Sequence, residues 1–121
     1  TTWARSDQIP FGGGGGTSGE STIAAGAKWS KSWPVSGNYV VRASYAVVGG
    51  KVDAYMLSEA EWNRWQSGAA PETLAVIDKK MDLDVGELSG TVSPGQTFVL
   101  AFMNRGSDPV KFKWWGSFGS R

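Results

Sequence analysis

From Lys28 onward, apolar positions recur every second residue, the period of a strand whose side chains point alternately to two faces. Asn38 to Val48 sets Tyr39, Val41, Ala43, Tyr45 and Val47 on one face and is rich in the β-branched and aromatic residues that favour strands. Gly49-Gly50 follows, and Lys51 to Leu57 then alternates Val52, Ala54 and Met56 against Asp53 and Tyr55, so the pair predicts a β-hairpin with a two-residue loop. Leu74 to Lys79, Met81 to Val85 and Leu88 to Val92 read as short strands, and Ser93-Pro94-Gly95-Gln96 has the residues of a type II turn. Thr97 to Asn104 is apolar on both faces, as in a central strand covered from both sides. Val110, Phe112 and Trp114 alternate with Lys111 and Lys113, the pattern of a sheet with one face in water.

One segment breaks the period of two. Ser58-Glu59-Ala60-Glu61 has the form of a capping box and places two carboxylates where a helix dipole favours them, so a short helix is predicted near residues 58–67. Gly68 and Pro71 stop it, and Trp62 and Trp65 share one of its faces. Those two rings are expected to pin the helix over an open end of the sandwich, with ligand stacking as the alternative.

The first residues are different in kind. Phe11 is followed by five glycines, Gly12 to Gly16, and then by a Ser/Thr/Gly stretch to Thr22. Glycine loses the most backbone freedom on ordering, so residues 1–27 read as a flexible Gly-rich arm and linker, and residues 28–121 as the sandwich domain. Trp3, Ile9 and Phe11 are the arm's candidate anchors on a neighbouring subunit; a frayed tail or a wide surface loop is the alternative. The fold class expected is all-β, an antiparallel β-sandwich of jelly-roll type with one short helix.

Composition narrows the function more than the fold. At 121 residues the chain fits one domain. It has no cysteine and no histidine, which excludes disulfides, thiolate nucleophiles, Ser-His-Asp arrangements and the commonest transition-metal ligands. A formal net charge of +1, from 12 basic and 11 acidic residues, gives no broad basic field for nucleic acid. No apolar run approaches the roughly 20 residues of a membrane span. The start at Thr1-Thr2, without Met, fits either a processed secreted chain or a trimmed one; secretion or surface display is the expected location, with membership of an extracellular or viral assembly as one form of it.

Over residues 38 to 118 the order of motifs resembles the GOLD-like and pre-peptidase-C-terminal-like jelly-roll domains. The residues that carry the likeness are the Val-Asp-Ala-Tyr-Met-Leu strand (52 to 57), the small Ser-Glu-Ala-Glu-Trp helix after it, and Ser-Pro-Gly-Gln-Thr-Phe-Val-Leu-Ala-Phe-Met-Asn (93 to 104) before the final strand. The resemblance implies a non-catalytic module, often secreted or facing a lumen, that contacts other proteins or extracellular material. It implies no catalytic residue. Trp29, Trp33, Trp114, Trp115 and the Gly-rich arm lie outside its pattern.

Among candidate sites, Asp78, Asp82, Asp84 and Glu87 are the densest carboxylates, with Asp82, Asp84 and Glu87 the candidate ligands for a hard cation. Lys79 and Lys80 lie among them, which favours a solvated, charge-balanced segment. A carboxylate-pair hydrolase using Asp82 and Asp84 would need no histidine, but so small a sandwich leaves little wall for a sugar cleft. No cofactor is implied. Trp29 and Trp33, four apart with Lys31 between, share a strand face and are either core or a ligand-stacking platform, while Trp115, out of phase with Trp114, is the better surface candidate. The leading expectation is a non-catalytic structural or adhesive sandwich, a homo-oligomer or binder of another protein through its arm and exposed aromatics. The alternative is a carbohydrate-binding module stacking polysaccharide on Trp115, Trp29 and Trp33.

Overall fold

The computed structural model, which describes residues 15–35 and 38–120, contains the strands β1 (Gly15–Ile23), β2 (Lys28–Pro34), β3 (Tyr39–Val48), β4 (Val52–Ser58), β5 (Val76–Leu83), β6 (Val85–Val92), β7 (Thr97–Met103) and β8 (Val110–Ser120). Helix α1 (Glu59–Gln66) and a single 3-10 turn, Pro71–Thr73, separate β4 from β5. The strands form two antiparallel sheets with the orders β1-β8-β3-β6 and β2-β7-β4-β5. This is the eight-stranded jelly roll, in which the chain passes back and forth between two facing sheets.

The period of two translates directly into the core. Tyr39, Val41, Ala43, Tyr45 and Val47 of β3 meet Val52, Ala54 and Met56 of β4 and Phe98, Leu100 and Phe102 of β7 in one buried cluster. β8 adds Val110, Phe112 and Trp114, with Lys111 and Lys113 outside. The other faces of β4 and β7 are buried too, because α1 and the chain after it lie on them: Tyr55, Leu57, Val99 and Ala101 pack with Trp65 and Leu74 in a second cluster. The two helix tryptophans thus cover the outer face of the second sheet and not an open end. Lys28 lies over both rings, its Nζ 4.8 Å from the centre of Trp65 and 5.8 Å from that of Trp62. Ser58 caps α1 by accepting the Glu61 amide at 3.4 Å.

Three expectations are corrected by the topology. Gly49-Gly50 does not close a hairpin: β3 pairs with β6 and β8, whereas β4 pairs with β5 and β7, so the glycines carry the chain from one sheet to the other. Gly49 has φ 97°, and a Cβ on Gly50 would lie 2.9 Å from Cγ1 of Val110, so the arch is seated against the start of β8. A Gly-Gly pair permits a hairpin and an arch equally; β4 is excluded from β3 because both of its edges are already taken. Second, Lys79 and Lys80 lie within one strand, β5, and do not separate two.

Third, the segment read as linker contributes a strand. Residues Gly15 to Ile23 pair one to one with β8 from Phe118 to Val110. Gly19 lies directly on Trp114, where a Cβ would come within 2.9 Å of the indole Nε1. Glycine is needed at that point for close approach, not for flexibility. Gly95, at φ 83°, occupies the turn position that the Pro-Gly pair predicted for it.

Candidate binding surfaces

Four connections gather at one end of the sandwich: residues 24–27, 49–51, 84 and 104–109. Asn104, 0% exposed, ties two of them together. Its side-chain amide donates to the carbonyls of Ile23 at 3.1 Å, Ala24 at 3.3 Å and Asp108 at 2.8 Å, and its Oδ1 accepts the Gly106 amide at 2.9 Å. Its backbone is bonded to Gly26 and Ala27. A third connection is tied in where Val47 donates its amide to the Asp84 carbonyl at 2.7 Å.

Asp53 fixes the remaining elements. It sits where the β4–β5 register shifts between Val52 and Ala54, and its side chain is 2% exposed. Oδ1 accepts the Asp82 amide at 2.8 Å and Nη2 of Arg105 at 3.1 Å, while Oδ2 meets Nε of Arg105 at 2.5 Å. Asp82 itself has φ 55°, a left-handed conformation that aspartate tolerates better than most residues and that here turns β5 towards the next connection. The hydrogen bond from Arg105 to Asp53, reinforced by their charges, holds the guanidinium more firmly in its charged form. Lys51, Asp53, Asp82, Met103, Arg105 and Gly106 line a polar cleft of about 310 Å3.

Two buried phenols lie near the same carboxylate. Burial, with Asp53 and Asp84 adding to it, pushes the Tyr45 hydroxyl up to about 12, and that hydroxyl has no hydrogen-bond partner among the described residues. Tyr55 is raised chiefly by burial and then by Asp53, with Arg105 opposing. Neither phenol is poised as an acid or base near neutral pH.

On the first sheet, at the ends of β3 and β6 nearest these connections, Val48 is 74% and Val85 64% exposed, Val48 in a groove with Glu20, Ser21, Thr22 and Lys111; Leu83 and Met81 are exposed on β5. Aliphatic side chains so open, on strands paired with their neighbours, can be covered by a partner at little cost in ordering. Both oxygens of the Asp53 carboxylate are engaged, by the Asp82 amide and by Arg105.

The residues singled out from the sequence fall in different places. Trp33 is 4% exposed and stacks on Phe98 with ring centres 5.5 Å apart; Trp29 is partly buried against Phe102, Phe112 and Trp114. Of the two placements open to them, core or platform, they take the core. Trp115 is 36% exposed on the outer face of the first sheet, in a row with Ser18 of β1, Ser44 of β3 and Glu87 of β6. Asp82, Asp84 and Glu87 do not converge: Asp82 lines the cleft, the Asp84 carbonyl serves β3, and Glu87 meets Ser44 at 3.4 Å on the outer face. Among the described residues no three such side chains are grouped to hold a metal. Trp3, Ile9 and Phe11 lie outside the described residues.

Asp53 and Arg105 carried no signal in the sequence. They are 52 positions apart, and nothing but the return of β7 beside β4 brings them together.

A solved structure shares this architecture. The crystal structure of Aeromonas hydrophila PliG, described as a periplasmic lysozyme inhibitor of g-type lysozyme, superposes with a TM-score of 0.62 over 92% of this chain and 91% of that chain, at 13% sequence identity. At that identity the likeness is one of fold. No family model matches the sequence, and no curated protein matches it. The all-β sandwich expected from the GOLD-like and pre-peptidase-C-terminal-like pattern is present, and membership of those families has no further support.

Proposed function

We propose that this chain is a non-catalytic protein-binding sandwich that presents its bonded loop end to a partner outside the cytoplasm. The observation that carries the reading is the combination at that end of a buried Asp53 clamped by Arg105 with the open side chains of Val48 and Val85. Ordered connections keep the entropy of association low, the apolar pair supplies area for a desolvated centre, and Lys51 and Arg105 supply a charged rim. The likeness of fold to a periplasmic inhibitor supports both the binding role and the location.

A g-type lysozyme is the first partner to test, since PliG is described as inhibiting one. Calorimetric titration of the chain into such a lysozyme is expected to give saturable binding, weakened at least tenfold by the double change Val48→Asp and Val85→Asp. Unchanged affinity in the double variant would move the site elsewhere, and no binding by the wild-type chain would remove this enzyme class from the reading.

A second reading is favoured by Trp115 alone. Its indole lies in a row of hydroxyl and carboxylate groups on the outer face of the first sheet, an arrangement suited to stacking a sugar ring. Quenching of tryptophan fluorescence by a soluble polysaccharide, lost in Trp115→Ala, tests it.

A further inference from the structure

The four edge strands of the sandwich are not equally protected. An open edge offers a row of unpaired N–H and C=O groups, and proteins normally blunt it with lysine, proline, a bulge or a covering segment. β2 ends on Pro34, which has no N–H, and carries Lys28 and Lys31. β5 carries Lys79 and Lys80, two register shifts and the left-handed Asp82. β6 is closed by its neighbour across the sandwich: the Asp78 carboxylate accepts the outward Ser89 amide at 2.9 Å, and Ile77 lies so close over Gly90 that a Cβ there would fall 2.1 Å from its Cγ2. Among the described residues, β1 has none of these. Its nine residues, Gly-Gly-Thr-Ser-Gly-Glu-Ser-Thr-Ile, include no lysine, arginine or proline and run in unbroken register with β8.

We propose that β1 pairs antiparallel with β1 of a second copy about a two-fold axis at Gly19, joining two four-stranded sheets into one of eight strands. The charge pattern selects both the occupant and the register. The one charged side chain of the strand, Glu20, faces Ser18 of the second copy when the axis is at Gly19, and would face its own equivalent if the axis moved one residue on. Like charges directly opposite on a sheet are destabilising, whereas Ser and Thr pairs are favourable. The central Gly19 places no side chain between the two backbones. Because β6 is capped, a head-to-tail β1–β6 contact is blocked, and association closes at two copies instead of running on as a filament. Val48 shares a groove with Glu20, Ser21 and Thr22 of β1, so the two surfaces adjoin, and the charge changes at Ser18 and Glu20 separate this pairing from the partner proposed above.

Sedimentation velocity of the full chain over a concentration series tests it. The wild-type chain is expected to pass from monomer to dimer, with no larger species, as concentration rises into the high micromolar range. Ser18→Glu, at an exposed position, sets carboxylates opposite Glu20 twice in the dimer and is expected to weaken it at least tenfold. Adding Glu20→Lys to that variant turns both contacts into opposite-charge pairs and is expected to restore the dimer. Thermal melting of each variant confirms that the monomer is folded. A wild-type chain that stays monomeric to millimolar concentration overturns the proposal, as does a folded Ser18→Glu variant that dimerises like the wild type, or a double variant in which dimerisation does not return.

Discussion

Arg105 holds Asp53 with two of its nitrogens, Nε at 2.5 Å and Nη2 at 3.1 Å, although the arginine side chain is 60% exposed and the aspartate 2%. The contact is unequal. Asp53 depends on Arg105 for its charge partner, while Arg105 has water as an alternative. Removing the arginine strands a buried carboxylate, so Arg105→Ala is expected to lower the unfolding free energy. Asp53→Asn keeps an acceptor for the Asp82 amide and is expected to cost less, about 2 kcal/mol. Urea unfolding followed by tryptophan fluorescence measures both, and the order of the two losses is the point at issue.

Tyr45 predicts the alkaline limb. Its hydroxyl ionises near pH 10 in the unfolded chain and at about 12 in the folded one. A folded value raised above the unfolded one gives stability that is fully present below pH 10 and is lost as pH rises through the folded value. The wild-type melting temperature should therefore fall between those values. Tyr45→Phe removes a buried, unpartnered hydroxyl and is expected to be about 1 kcal/mol more stable at neutral pH. Its alkaline loss should be smaller than that of the wild type but not absent, since Tyr55 is also raised by burial.

Glu61 governs the acid side. Its carboxylate accepts the Ala75 amide at 2.7 Å and Nη1 of Arg64 at 2.6 Å, fastening α1 to the chain that leads into β5. The Ala75 bond, helped by Arg64, holds its carboxyl below the usual glutamate value against a smaller opposing effect of desolvation. A depressed folded value gives stability that is present above the unfolded value and lost as pH falls through the folded one. Melting temperatures taken from neutral pH down to about pH 3 should drop less steeply for Glu61→Gln than for the wild type.

Gly19 and Trp114 make a prediction about packing. Gly19→Val places branched carbon where the indole already lies, and overfilling of this kind costs about 1–3 kcal/mol. The change should lower stability and alter tryptophan emission together, whereas the same change at the open Gly119, which has nothing within 4 Å of its Cβ position, should do neither.

How far the sequence disclosed this molecule varies with the kind of signal. Val110 to Trp114, Thr97 to Met103 and the Ser58 cap were legible because alternation, two-sided burial and capping are local properties. β1 was not, because Gly-Gly-Thr-Ser-Gly has no hydrophobic period; it is ordered by nine residues of pairing with β8 and by a glycine that admits Trp114. Gly49-Gly50 misled because turn chemistry reports that the chain reverses, not which sheet it enters. Trp29 and Trp33 were correctly set on one face, but which face depended on Phe98 and Phe102, some seventy residues later in the chain.

The passage of the chain between sheets has a kinetic consequence. No two strands joined by a tight turn pair with each other: the shortest pairing, Leu57 with Val76, spans α1, and β1 finds its partner in β8, at the other end of the described chain. Folding cannot begin from a hairpin and grow outward. Large loops must close before any ladder bond forms, which places such a domain among slow folders, in milliseconds to seconds. During synthesis the centre of the first sheet stays open until β8 has left the ribosome. Until then β1 and β3 have an unfilled gap between them, and the nascent chain depends on whatever keeps two long unpaired edges apart.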